Sequence, residues 1–225
     1  MSHTRDRLLK HFTNPFPEDR FVTRFNARPG DGSGYALEAL NFSHYMAVSA
    51  WRAAEKYGVS YRQFYVGAVA LAASPAFDQL GFLHGANIKP DEAGIINEHA
   101  EDIVVNKARR YGMQIMSLMV VGNTQPDHQS HLNPPTLHPC GRCRDMLSAS
   151  ENVVLPTTTI FSASPDGKIY EMYGLSALRQ YHQTGNPNTP GIWRFQIDNL
   201  DNWSSITLPI FAERLEEIGA LAAWL

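Results

Sequence analysis

The sequence is poor in cysteine, in long apolar runs and in excess positive charge. Two cysteines among 225 residues supply no disulfide framework. They stand three apart, as Cys140 and Cys143, a loop too tight for an unstrained disulfide. No run of 18 or more apolar residues occurs, so no membrane-spanning helix is expected. The opening stretch, MSHTRDRLLKHF, lacks the apolar core of a secretory signal, and a cytoplasmic, reducing setting is expected. Lysine and arginine number 19 against 22 acidic residues, a net charge of −3. A protein that grips a nucleic-acid backbone carries a basic face, so nucleic acid is not the expected partner and a small molecule is. Internal repeats and low-complexity tracts are also missing.

What remains is the composition of a globular protein, 44% hydrophobic and 18% charged. Residues 1–40 hold the turn-rich runs TNPFPEDRF and ARPGDGSG and read as an N-terminal extension. Residues 41–185 read as one domain, and 186–225 as a C-terminal extension. Its final helix is expected from Leu208, with Thr207 as a cap candidate.

Within the domain, period and punctuation alternate between helix and strand. Phe42, Tyr45, Met46, Ser49 and Ala53 predict a helix over 41–57, stopped by Gly58. Strands are predicted at 65–74, 80–87 and 114–122. Between the last two, Ala100, Ile103, Val104, Ala108 and Tyr111 share a helical face that Gly112 closes, with Asn97 or Glu98 as the expected cap. A polar loop over 123–139 leads into a short helix beginning at Cys140. TTTIFSAS and KIYEMYG then predict strands about the turn SPDG, and LSALRQYHQ a helix. Alternation of this kind points to the α/β class, with helices on both faces of a sheet.

The stretch HPCGRC, residues 138–143, admits three readings: a redox pair, half of a zinc site, or two thiols beside a turn. Zinc wants three or four nitrogen or sulfur ligands. Cys140 and Cys143 in a first helical turn lie on one side, where amide hydrogens and the helix dipole favour thiolate. His99, at another expected helix start, is the candidate third ligand, and Glu101 two residues on is the candidate proton carrier. Three protein ligands leave one coordination position open, as catalytic zinc sites do. The pattern H-x-E followed by P-C-x-x-C is a known zinc-deaminase signature, met here as His99-Ala100-Glu101 and Pro139-Cys140-Gly141-Arg142-Cys143.

From about Ala53 to Tyr181 the chain resembles the cytidine deaminase family. The likeness rests on AAEKYGVSYRQFYVGAVAL, GANIK, HAE, PCGRCR and the pair TTIFSASPDGKIYEMYG–LSALRQYH. It implies a three-layer α/β/α fold with a central mixed five-stranded sheet. It also implies a Zn2+ cofactor held by His99, Cys140 and Cys143, and hydrolysis of the exocyclic amine of a cytosine-like nucleoside. Glu101 would protonate the ring nitrogen and then the departing ammonia. Phe64, Asn87, Lys89 and Ala100 fall where the family meets its substrate. Each has a plainer reading beside that one: core packing for Phe64, a turn or capping role for Asn87, solvent for Lys89. Lys89 stands where the family has a sugar-binding glutamate. An ammonium only donates, so it suits a phosphate or carboxylate rather than ribose hydroxyls. The alternatives are therefore a nucleotide, a modified base or another aminated heterocycle, or a non-catalytic zinc-stabilised module of the same fold. The family also implies a homodimer or homotetramer.

Overall fold

Nine-residue runs of small and branched apolar side chains can be buried on both faces only inside a sheet, and two such runs lie side by side here, Val66–Ser74 and Gln114–Gly122. The structure is a computed structural model that describes residues 33–74, 79–124, 134–186 and 188–196. Its elements in chain order are α1 (Ser33–Tyr57), β1 (Val59–Ser60), β2 (Val66–Ser74), β3 (Gln79–Ala86), β4 (Ile88–Lys89) and α2 (Ala100–Arg110). There follow β5 (Gln114–Gly122), α3 (Gly141–Ser148), β6 (Val154–Ala163), β7 (Ile169–Tyr173), α4 (Leu175–Thr184) and β8 (Ile192–Gln196). The chain divides into two compact units, Met1–Tyr45 with Ile197–Leu225, and Met46–Gln196. The sheet belongs to the second. The helix expected from Leu208 lies outside the described residues, as do His128 and His131 of the long loop.

The main sheet is mixed, in the order β3-β2-β5-β6-β7-β8. Strand β2 is antiparallel to β3 and β5, β5 is parallel to β6, and β7 and β8 each run antiparallel to the strand before. The five strands of the expected sheet are joined by a sixth, β8, which comes from the segment read as an extension. A two-residue parallel ribbon, β1 with β4, stands apart from it.

Helices cover both faces, giving the α/β/α layering. On one face Ala68, Ala70 and Ala72 of β2 share a core with Ala100, Val104, Val105 and Ala108 of α2, Leu147 of α3 and Leu178 of α4. On the other, residues 46–57 of α1 press so close to β2 that a Cβ on Gly67 would lie 1.7 Å from the Ala50 carbonyl oxygen. Gly85 of β3 plays the same part on the first face. A Cβ there would sit 2.3 Å from the Ala100 carbonyl oxygen, so the start of α2 rests directly on the strand.

Two boundaries differ from expectation for local reasons. Helix α1 begins at Ser33 rather than Asn41, running through the glycine of the GSG run. Helix α2 is capped by His99 rather than by Asn97 or Glu98. Glu98 is held in extended backbone by a two-way bridge to Ile88, with N–H to O distances of 2.9 and 3.0 Å. That extension continues through His99, at φ −88° and ψ 153°. Strands β3, β5 and β6 all run the same way, and α2 and α3 start beyond the carboxyl ends of β3 and β5. Ligands of open α/β sheets collect at such an edge.

Candidate metal centre

Both helix starts carry a candidate ligand at the cap. His99 caps α2 and Cys140 caps α3, with Cys143 one turn in. Nδ1 of His99 lies 3.4 Å from Sγ of Cys140 and 3.2 Å from Sγ of Cys143. All three ligand atoms fall within 4.8 Å of one another, the one such group of histidine, cysteine or acidic side chains among the described residues. Tetrahedral zinc with bonds of about 2.3 Å to sulfur and about 2.0 Å to nitrogen would set each N···S edge near about 3.5 Å. The donors therefore fit one zinc ion with little movement. Cys140 is exposed and Cys143 is buried, so the trio opens to solvent on one side.

The two sulfurs are hydrogen-bonded to each other and are shifted in opposite directions. Cys140 is pulled down to about 3 by the Cys143 thiol that donates to it, against its own burial, and then by His99 and the Cys143 backbone N–H. Cys143 is pushed up, first by that same hydrogen bond and then by burial. His99 is raised, chiefly by its hydrogen bond to Cys140. Glu101 is 3% exposed. Burial pushes its carboxyl up to about 6, opposed by a backbone hydrogen bond and, more weakly, by a bond from Cys143. A carboxyl poised there beside a donor set of this kind can exchange a proton near neutrality.

Arg142 ties the two helix starts together. It donates to the Asn97 carbonyl oxygen at 3.0 Å and to Asp102 Oδ2 at 2.7 Å, and Asp102 also accepts the His99 backbone N–H at 3.3 Å. The two arginines flanking Cys143 are natural candidates to donate to the sulfurs. Arg142 is instead committed to α2, and Arg144 donates to the Pro139 carbonyl oxygen at 2.8 Å.

The residues expected to meet a substrate have these places. Ala100 is fully buried between His99 and Glu101, with its carbonyl against Gly85. Phe64 is half-buried and packs on the core of the first face. Asn87 directly follows β3 and knits it to the start of β2. Its Oδ1 accepts the Val66 N–H at 2.8 Å, and its Nδ2 donates to the Phe64 carbonyl oxygen at 2.8 Å. Lys89 lies one residue past Ile88, the bridge partner of Glu98, and holds its Nζ 5.6 Å from the centre of the Tyr61 ring. Arg62 stands over the same ring at 5.1 Å.

A second polar cluster adjoins the cysteine loop. Glu171 of β7 is fully buried and meets Thr136, His138 and Arg194. Sequence pattern marked His138 only by its place before Pro139, and nothing in KIYEMYG marked Glu171. A lone glutamate in an alternating strand looks like a solvent-facing position.

Neighbours among the solved structures are cytidine deaminases. The cytidine deaminase from Burkholderia pseudomallei is 22% identical, with a TM-score of 0.46, over 60% of this chain and 94% of its own. That from Mycobacterium tuberculosis is 26% identical, with a TM-score of 0.38, over 52% of this chain and 80% of its own. The Mycobacterium leprae cytidine deaminase is 18% identical, with a TM-score of 0.41, over 60% and 93%. No protein-family model and no curated protein matches the chain. Among the described residues no helix is long and apolar enough to cross a membrane.

Proposed function

We propose that this protein is a zinc-dependent hydrolytic deaminase, converting the exocyclic amine of a cytosine-like nucleoside to a carbonyl with release of ammonia. The observation that carries the reading is the buried Glu101, its carboxyl raised to about 6, beside a histidine and two cysteines spaced for one zinc ion. A structural site needs three or four ligands but no proton carrier.

His99 Nδ1, Cys140 Sγ and Cys143 Sγ would hold the ion. Bound there, it would supply Lewis acidity that lets a water lose its proton near neutral pH. Glu101 takes that proton and gives it to the ring nitrogen next to the amine-bearing carbon. With the water oxygen bonded to that carbon, Glu101 would carry the remaining hydroxyl proton to the amine, so that the C–N bond breaks as the carbonyl forms, and one water enters as one ammonia leaves. Asn87 keeps one Nδ2 hydrogen free of its two backbone bonds, enough to donate once to a sugar hydroxyl. Phe64, fixed by Asn87 through its carbonyl, would flank the base, and Ala100, fully buried, would act by spacing His99 from Glu101. Exposed Ile95 and Ile96, 89% and 50% accessible, support the accompanying homodimer or homotetramer. A cytoplasmic, reducing setting fits the exposed Cys140 thiol.

A second reading keeps the chemistry and changes the substrate to a nucleotide. Lys89 and Arg62, both cations drawn to the Tyr61 ring, favour it, because together they would receive a phosphate. The zinc-loaded protein should be given cytidine, deoxycytidine, their monophosphates and free aminated bases, with ammonia release and ultraviolet change as readouts. Glu101→Gln is expected to keep its zinc and its fold while turnover falls by about 10²–10⁴-fold. Wild-type protein carrying one zinc per chain that releases no ammonia from any of these compounds would leave the non-catalytic module standing instead.

A further inference from the structure

Glu171 is an unusual residue to find at 0% exposure in the middle of a sheet face. Burial alone drives its carboxyl toward the neutral form, yet the carboxyl is held below the ordinary glutamate range by the donors that converge on it. Thr136 Oγ1 donates to its Oε2 at 2.5 Å, and His138 Nε2 meets the same oxygen at 2.8 Å. Arg194 Nε donates to Oε1 at 2.5 Å. The last contact is set by strand register, since Glu171 and Arg194 are directly opposed partners of β7 and β8. Arg194 also stacks over Tyr181, its guanidinium carbon 5.6 Å from the ring centre.

Two of these donors lie on the segment that delivers Cys140. Thr136 stands four residues before the cysteine and His138 two before it, with Pro139 stiffening the link. Thr136 is fully buried, and the His138 ring is enclosed edge-on by Tyr173 and Tyr181 at 5.2 and 5.4 Å. With Nε2 donating to the carboxylate, His138 Nδ1 is left to accept from His182 Nε2 at 3.2 Å. Beyond the proline, Arg144 takes the Pro139 carbonyl. The backbone from 136 to 140 is therefore fastened on both sides of the bend before the sulfur.

We propose that Glu171, with Arg194 of β8 as its charge partner, is a positioning residue that fixes the Cys140 ligand through Thr136 and His138. The inference rests on the reading of His99, Cys140 and Cys143 as a metal site. It adds that a strand from the 186–225 segment is required to keep that site in shape. A glutamine at 171 removes the negative charge opposite Arg194, and its NH2 group either faces the arginine N–H or obliges Thr136 and His138 Nε2 to turn from donors into acceptors.

The test is zinc affinity, measured by competition with a chromophoric chelator on the full chain, with folding followed by circular dichroism. Glu171→Gln is expected to remain folded at 25 °C and to bind zinc about 10–100-fold more weakly, the usual range for losing a group that orients a ligand. Arg194→Met is expected to weaken zinc in the same direction, and Arg194→Lys to restore most of the loss. Ile115→Val, at the opposite end of β5 and fully buried, serves as the control for general destabilisation and should bind zinc like wild type. Glu171→Gln within about threefold of wild type overturns the proposal, as does an equal loss in the Ile115 control. Should the Glu171 variant not fold, the Arg194 pair decides alone: equal affinity in the methionine and lysine variants refutes it. A wild-type chain that binds no zinc refutes the metal site itself, an outcome distinct from the others.

Discussion

Replacing Gly85 with alanine should disable the site without touching any of its side chains. A methyl there would lie 2.3 Å from the Ala100 carbonyl oxygen and 3.0 Å from Val104 Cγ2. Ordinary contact begins near 3.4 Å, so the first turn of α2 must retreat by about 1 Å. Ala100 stands between His99 and Glu101, and the retreat passes to both. A misplacement of about 1 Å is worth roughly 10²-fold in rate. The overpacked contact should cost about 1–3 kcal/mol of stability, offset in part by removing a glycine from a strand interior. The assay is ammonia release by the zinc-saturated variant, with urea unfolding beside it. Gly112→Ala is the control: nothing lies within 4 Å of its Cβ, but its φ is +62°. It should lose about 1–2 kcal/mol to left-handed strain and keep its rate. A folded Gly85→Ala protein with a rate within about twofold of wild type would refute the link between this close approach and the site.

Two smaller perturbations separate stability from function. Arg142→Met removes a half-exposed ion pair with Asp102 and should change unfolding free energy by less than about 1 kcal/mol, yet weaken zinc several-fold in the chelator assay, because it unties the two helix starts. An affinity unchanged from wild type would show that the helices need no such tie. Asp166, in the β6–β7 turn, is held below its ordinary value of 3.8, first by the hydrogen bond from Ser164 and then by the Lys168 backbone N–H. A lowered folded value means stability present above the unfolded pKa and lost as pH falls through the folded one. Asp166→Asn should therefore have a lower urea midpoint at neutral pH, and the gap to wild type should close below its ordinary value of 3.8. A gap that stays constant with pH would remove the charge from the explanation.

The convergence of His99, Cys140 and Cys143 was legible in the sequence because ligand chemistry restricts residue type so severely. A histidine and two cysteines in that order, each near an expected helix start, already imply convergence, and His99 Nδ1 does meet both sulfurs. Strand β5 was legible over Gln114–Gly122 for a similar reason, since a nine-residue apolar run bounded by Gly112 and a polar loop has few other fates. Strand β8 was not. Its five residues, IWRFQ, follow a Gly/Pro-rich turn and place an arginine at the centre, which reads as a surface segment. The cross-strand carboxylate and the Tyr181 ring account for that arginine, and Glu171 gave no sign of burial in KIYEMYG. Tertiary partners decide such positions, and alternation along one strand does not reveal them. Asn87 is similar. Its side chain is spent largely on the backbone of Phe64 and Val66, which lie 23 and 21 residues away in sequence.

The pairing of β8 with β7 places a limit on how this chain can drift over time. Side chains on a strand alternate between faces, so slipping β8 by a single residue would send Arg194 to the far side and leave the Glu171 carboxylate buried without its cross-strand cation. Insertions between Gly185 and Ile192 are tolerable while the connecting bend absorbs them. Once one reaches the strand itself, only an even-numbered shift keeps an inward-facing residue opposite Glu171, and even then that residue must be a cation.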